Sequence, residues 1–265
     1  MPDAIETDAP VPGGPCWAEL GTSDVGAARR FYTGLFGWRP ETVPGRATGG
    51  YTLARLAGTP VAGLAPLYRP EQPVGWDVAF AVADADAAAR RVTASGGAVL
   101  SGPVDVTDAG RLVVAVDPGG AVFQLWQAGA FAGVAPPGVP GSLGWVELLT
   151  RAPERAADFY ATVLGWRLGG SGTSSASGGS ARWSVGGAEF GSLVTMDDKF
   201  PHEVPAHWLP YFAVADVDRA AADATGGHGT VLMLPTSPPD GPRIAVLRDP
   251  QGAMFGVYGA GGGRG

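Results

Sequence analysis

The chain is written twice. Trp17-Ala-Glu-Leu-Gly-Thr opens a segment that closes Arg30-Phe-Tyr-Thr-Gly-Leu-Phe-Gly-Trp38. Trp145-Val-Glu-Leu-Leu-Thr opens another that closes Asp158-Phe-Tyr-Ala-Thr-Val-Leu-Gly-Trp166, at an offset of 128 at both ends. Residues 76–84 (WDVAFAVAD) match residues 208–216 (WLPYFAVAD) at offset 132, and Asp117-Pro-Gly-Gly matches Asp249-Pro-Gln-Gly at the same offset. Copies this long are domain-sized, so the chain reads as two similar domains rather than one large one or a solenoid.

A weaker similarity runs inside each copy. Trp17 to Gly37 and Trp76 to Gly97 both read as a strand, an Asp, an Ala-rich helix and a Gly. The unit is β-α-β-β-β. In the first, Trp17 to Gly21 alternates as a strand and Asp24 is placed to cap the helix. Ala28, Phe31, Tyr32, Leu35 and Phe36 make one apolar stripe, and Gly37 ends it. Tyr51 to Leu56 and Val61 to Pro66 form a hairpin about Gly58-Thr-Pro60. In the second unit Asp84 caps the helix, and Asp117-Pro-Gly-Gly has the residue order of a type I turn between two strands. The third unit lacks the capping Asp: Ala152 stands there, followed by Pro153 in the first helical turn.

Composition agrees with a turn-dense protein of many short strands. Gly (43) and Pro (24) make up a quarter of the 265 residues, yet 45% apolar residues with eight Trp and ten Phe exclude a disordered chain. The net charge of −7, without a Lys/Arg cluster, argues against nucleic acid or an anionic membrane as partner. Cys16 is alone, which excludes an intrachain disulfide and a cysteine-based zinc site. No apolar run reaches 18 residues, and residues 1–15 lack the parts of a signal peptide, so a cytoplasmic protein is expected. Residues 1–14 read as a tail, 15–128 as the first domain, 129–141 as a Pro-stiffened linker and 142–260 as the second domain. Gly169 to Ala181 reads as a flexible loop entering a hairpin, either a lid or a linker.

Four such units, with paired FY…GW and DP-x-G signatures, resemble the vicinal oxygen chelate superfamily, the glyoxalase, bleomycin-resistance and extradiol-dioxygenase group. Among its members the chain is most similar to two-domain actinobacterial glyoxylases. The resemblance covers nearly everything from Pro15 to Ala260. It implies an α+β fold of tandem domains, in which two βαβββ units form a curled mixed sheet around a concave cavity with helices outside. It also implies a divalent-metal ligand at the start of the first strand, where Trp17 and Trp145 stand. A second belongs at Trp76-Asp77 and at His207-Trp208, and a third at Gln124 and Gly256. Indole cannot ligate a metal, so the set is broken in both copies and no cofactor is expected. An all-oxygen site from Glu19, Asp77 and Gln124 for a hard cation is the remaining metal reading. His202 and His228 stand at no ligand position.

Strand alternation places Trp17 and Glu19 on the concave face, with Ala18 and Leu20 under the helix. Trp145 and Glu147 follow by the repeat. Trp76, Phe80 and Trp126 are expected as further walls in the first domain, and Trp208, Phe212 and Tyr258 in the second. Tyr211 alternates opposite to Phe212 and is expected to point away. A buried carboxylate in such a cavity has a raised pKa, which suits a general acid or base, so Glu19 and Glu147 are the candidate catalytic residues. Against this stands a structural reading: Arg111 and Arg243 also repeat at offset 132, as partners for buried ion pairs with Glu19 and Glu147. The FY…GW aromatics read as core. Three functions stay open. One is a metal-independent lyase or isomerase; one is a drug- or metabolite-binding protein of resistance type, with a metal-dependent glyoxalase or dioxygenase as a further enzyme reading. In the third, one domain only supports the other. The expected partner is a small molecule, and the duplication permits a monomer or a homodimer.

Overall fold

The computed structural model describes residues 9–45, 49–134, 138–169, 181–198, 200–238 and 241–259. The first unit is β1 (Pro15–Thr22), α1 (Val25–Phe36), β2 (Arg39–Thr42), β3 (Thr52–Leu56) and β4 (Thr59–Pro66). The second is β5 (Gly75–Ala81), α2 (Ala85–Ala94), β6 (Ala98–Val106), β7 (Gly110–Val116) and β8 (Val122–Ala128). The second half repeats them as β9 (Leu143–Thr150), α3 (Pro153–Leu164), β10 (Arg167–Gly169), β11 (Ala181–Val185) and β12 (Ala188–Thr195). It continues with β13 (His207–Val214), α4 (Val217–Gly226), β14 (Thr230–Thr236), β15 (Ile244–Arg248) and β16 (Met254–Gly259). Each half forms one open eight-stranded mixed sheet, in the orders β2-β3-β4-β1-β5-β8-β7-β6 and β10-β11-β12-β9-β13-β16-β15-β14. The two units of a half join where β1 runs antiparallel to β5, and β9 to β13.

Local chemistry sets the helix ends. Asp24, Asp84 and Asp216 accept from the backbone N–H three residues on, at 2.8–3.0 Å, and so satisfy one orphan donor each. Ala152 has no side chain to do this, and α3 starts on Pro153 instead. Gly37 and Gly165 close α1 and α3 at φ of 70° and 73°, a conformation that costs a residue with a Cβ.

The helix-bearing faces of the two sheets do not look outward. They share one apolar core, in which Phe36 of α1 packs on Phe212 of β13 at 5.2 Å, and Phe123 of β8 packs on Phe159 of α3 at 6.0 Å. The helices expected on the outside therefore lie between the halves. Close approach accompanies this: a Cβ on Gly97 would sit 2.9 Å from the Phe159 ring and 2.7 Å from the Val116 carbonyl.

Two equivalent hydrogen-bond chains cross the boundary. Trp76 Nε1–H donates to the Tyr32 hydroxyl at 3.0 Å, which donates to Asp249 Oδ2 of the other half at 3.0 Å. Trp208 donates to Tyr160 at 2.9 Å, and Tyr160 to Asp117 Oδ2 at 3.2 Å. Each Asp uses its other oxygen to accept from the N–H groups of its own turn. Trp38 and Trp166 likewise donate to the carbonyls of Gly141 and Gly13, both at 2.6 Å. The FY…GW and DP-x-G signatures are therefore complementary halves of one clamp, each repeated once.

These contacts revise how four aromatics are placed. Trp76, Phe80, Trp208 and Phe212 pack in the shared core, and of these Trp76 and Trp208 also border the cleft. The reason is parity: on β5 and β13 they alternate with Asp77, Ala79, Leu209 and Tyr211, which take the other face. The segment 129–141 is also more than a spacer. Phe131 packs edge-on against Trp17 at 5.0 Å, its carbonyl accepts from Trp126 Nε1 at 2.8 Å, and Val134 N–H donates to the Cys16 carbonyl at 2.7 Å. Phe131 and Val134 cover one end of the first concave face. Residues 170–180 of the expected loop lie outside the described residues.

Candidate functional site

Trp17 and Glu19 share the concave face of the first sheet, and the register sets Glu19 directly opposite Asp77 on β5. Side chains opposed in this way have their Cβ atoms about 5 Å apart, so the two carboxylates meet. Gln124 on β8, alongside Ala79, is buried and hydrogen-bonds to both of them. Tyr51 closes the group from the start of the β3 hairpin. Its ring fits only because residue 63 is glycine: a Cβ there would lie 2.0 Å from the Tyr51 oxygen. Trp17 Nε1–H donates to that oxygen at 3.0 Å, which leaves the Tyr51 O–H directed at Glu19.

No Arg or Lys of the described residues pairs with either carboxylate, and burial governs their titration. Desolvation raises Glu19 to about 7; the negative charge of Asp77 adds to this, while hydrogen bonds from Tyr51 and Gln124 oppose it. Desolvation raises Asp77 to about 6, opposed by Gln124. The structural reading of Glu19 is thereby corrected. Arg111 points to the helix side, where it pairs with Asp86 at 3.0 Å and Asp105 at 2.7 Å; Arg243 pairs with Asp218 at 2.7 Å. Neither reaches a glutamate of the concave faces.

The second sheet builds a similar chain from different residues. Trp145 Nε1–H donates to Ser192 Oγ at 3.1 Å, and Ser192 donates to Glu147 Oε1 at 2.9 Å. Here Tyr211 takes the place beside the carboxylate. Tyr211, expected to point away, points in; its hydroxyl bonds to Glu147 and its ring covers Gly256, where a Cβ would lie 2.1 Å from it. Leu209 stands at the place of Asp77. Tyr211, Leu209, Leu149 and Met196 form an apolar cluster against which Trp145 and Tyr258 pack. Burial raises Glu147 as well, with Tyr211 and Ser192 opposing. Tyr51 and Ser192 were not singled out as site residues in the sequence, and Tyr211 was assigned the wrong face. Gly63, opposite Glu19, and Gly256, opposite Tyr211, were the available signals.

The open space lies beside the first carboxylate cluster. A cleft of about 740 Å³ is lined by Glu19, Asp77 and Gln124 from the first half and by His207, Leu209 and Met254 from the second. His207 is held by its Nδ1 at 2.9 Å from the Pro205 carbonyl. A carbonyl only accepts, so Nδ1 carries the proton and Nε2 keeps the lone pair; burial lowers this imidazole's pKa and favours that neutral form. Trp17 and Trp126 lie at the end covered by Phe131. Cys16 is buried with its thiol raised to about 12, far from a nucleophile's range.

The residues do not fit the divalent metal that the resemblance implies. The first ligand position in each half is an indole whose N–H is committed to a hydroxyl, at Trp17 and at Trp145. The third is Gln124, already bonded to both carboxylates, and Gly256, under the ring of Tyr211. Among the described residues no three His, Cys, Asp or Glu side chains group as metal ligands.

Comparison with known proteins was made against this geometry. The model of the Glyoxalase/Bleomycin resistance protein/Dioxygenase superfamily matches residues 16–125 and 142–257. A Mycobacterium tuberculosis protein named "Putative glyoxylase CFP32" is 42% identical over 251 residues, which cover 92% of this chain and 94% of that one. The "Anthracycline biosynthesis protein DnrV" of Streptomyces peucetius is 39% identical over 260 residues, 93% of each chain. Among solved structures, the Mn(II)-bound glyoxalase of Novosphingobium aromaticivorans superposes with a TM-score of 0.64 at 18% identity, over 94% of this chain and 82% of that one. The 2,3-dioxygenase LapB of Pseudomonas sp. KL28 gives 0.64 at 16% identity, over 95% and 93%. These two share the fold. No helix among the described residues is long and apolar enough to cross a membrane.

Proposed function

The chain belongs to the glyoxalase/bleomycin resistance protein/dioxygenase superfamily, and on that premise we propose that its cleft binds a small, partly apolar molecule and moves a proton on it through Glu19, without a metal. The observation that carries this reading is the Glu19–Asp77–Gln124 cluster at the cleft wall, two opposed carboxylates with no Arg or Lys ion pair among the described residues. Burial brings Glu19 to about 7, so near neutral pH it both accepts and returns a proton, as an acid–base catalyst must. Tyr51 fixes its orientation. Gln124 spends its two amide N–H donors on Glu19 and Asp77 and so holds the pair in register at the cleft wall. The proton is returned to a neighbouring atom of the same molecule, so the balanced outcome is an isomerisation. The cleft has the size of a drug-sized ligand site, and the relatives named for anthracycline biosynthesis support an occupant with an apolar ring body.

The reading is tested with a panel of α-hydroxycarbonyl compounds and an anthracycline, following deuterium uptake from D2O into the probe by NMR. The protein is expected to exchange at least one probe, and Glu19→Gln to lose at least about a hundredfold of that rate while still binding the probe. Undiminished exchange in Glu19→Gln rejects Glu19 as the base. A probe that binds and never exchanges leaves a binding protein without turnover.

A further inference from the structure

We propose that the cleft is one amphipathic site shared by the two halves, in which the second half supplies the apolar floor for a ring body whose polar head meets Glu19 and Asp77. The cleft walls include residues related by the offset of 132: Gly120 with Gly252, Val122 with Met254, Pro73 with Pro205 and Asp77 with Leu209. It therefore lies across the relation between the halves rather than inside one of them, and equivalent positions face each other from its two sides.

Those equivalents differ in one consistent direction. On the first side stand Asp77 and Gln124. Their counterparts are Leu209 and Gly256, and the latter is hidden under Tyr211. Leu209 packs with Tyr211, Leu149 and Met196, with Met254 and Val204 against them, so this side is rigid and apolar. His207 at its rim offers a single neutral acceptor. Val122, Leu112 and Val114 continue the apolar lining from the first half. The occupant such walls recognise is an uncharged molecule with a hydroxyl donor at one end, for the carboxylates, and a fused apolar ring at the other. Because Tyr211 occupies the equivalent space in the second sheet, there is one such site per chain. This rests on the reading of Glu19 as the polar end of the cleft.

The experiment is an NMR titration of the full chain with three probes: phenol as head alone, 2-naphthol as head plus a second ring, and 2-methoxynaphthalene as ring without a donor. The expected result is one 2-naphthol per chain, bound at least about tenfold more tightly than phenol, the second ring being removed from water on Leu209 and Met254. 2-Methoxynaphthalene binds more weakly than 2-naphthol. Met254→Ala and Leu209→Ala are expected to cut the naphthol-to-phenol ratio at least threefold. Met254 is only partly buried, so its variant carries the test where Leu209→Ala fails to fold. An unchanged ratio in Met254→Ala, two naphthols per chain, equal affinity for phenol and naphthol, or no naphthol binding at millimolar concentration each overturns the proposal. Glu19→Gln separates the two readings. If it alters neither hydroxyl probe, the role of Glu19 fails while a Met254-dependent ratio leaves the apolar floor standing.

Discussion

Replacing Glu19 by Gln is expected to stabilise the protein relative to the parent, progressively as pH rises from about 4.5 to 7. The native carboxyl titrates at about 7 against an ordinary 4.5, chiefly because burial disfavours its charge. The sign follows from proton uptake. Between these two values the native state holds the proton more firmly than the unfolded chain, so stability falls as pH rises through that window. This contribution is fully present below about 4.5 and lost once pH passes 7. Each unit of difference is worth about 1.4 kcal/mol, so the native state gives up about 3–4 kcal/mol on ionising Glu19. Glutamine keeps the shape and an acceptor for the Tyr51 hydroxyl but cannot ionise. Relative to the parent, Glu19→Gln is therefore expected to gain up to about 3 kcal/mol more at pH 8 than at pH 5. Urea unfolding at the two pH values measures this as a displaced midpoint at constant slope. If the variant is destabilised equally at both, or more at pH 8, Glu19 has a cationic partner in the native state and the electrostatic reasoning about the cleft is wrong.

Tyr51→Phe removes the hydroxyl that donates to Glu19 while keeping the ring over Gly63. A bond to a charged acceptor is worth about 1.5–3 kcal/mol, so Glu19 should titrate roughly 1–2 units higher, read from its carboxyl 13C shift. Glu147→Gln is expected to leave probe exchange and binding within about twofold, since Tyr211 takes the place beside it; a loss as large as that of Glu19→Gln would place a second working site in the other sheet. Tyr32→Phe strands the Trp76 N–H and one Asp249 oxygen, both buried, at a cost of about 2–4 kcal/mol. Because one core joins the halves, calorimetry should show a single transition shifted down, and two separated transitions would contradict the shared core.

Much of the architecture was legible in the order of residues. The duplication, the βαβββ units, the caps at Asp24 and Asp84 and the parity of Trp17 and Glu19 on β1 all rest on local periodicity and backbone hydrogen bonding. What failed did so for one reason: alternation along a strand says which residues share a face, not what that face meets. Phe80 and Phe212 have the period of wall residues, and the sheet face they take packs on the other half. Arg111 repeats with Glu19 in the sequence, yet its side chain emerges beside α2 and finds Asp86.

The sequence by itself determined that two similar halves would form, and which carboxylates would stand on their concave faces, because those properties are set within a few residues of chain. Only the tertiary structure decided that the halves are not equivalent. Tyr51 reaches Glu19 from a hairpin, Tyr211 reaches Glu147 from the neighbouring strand, and a glycine under each ring, Gly63 and Gly256, admits it. One arrangement leaves a cleft beside the carboxylate and the other sets Tyr211 there. That outcome depends on which distant side chain occupies a given volume, and no local pattern records it.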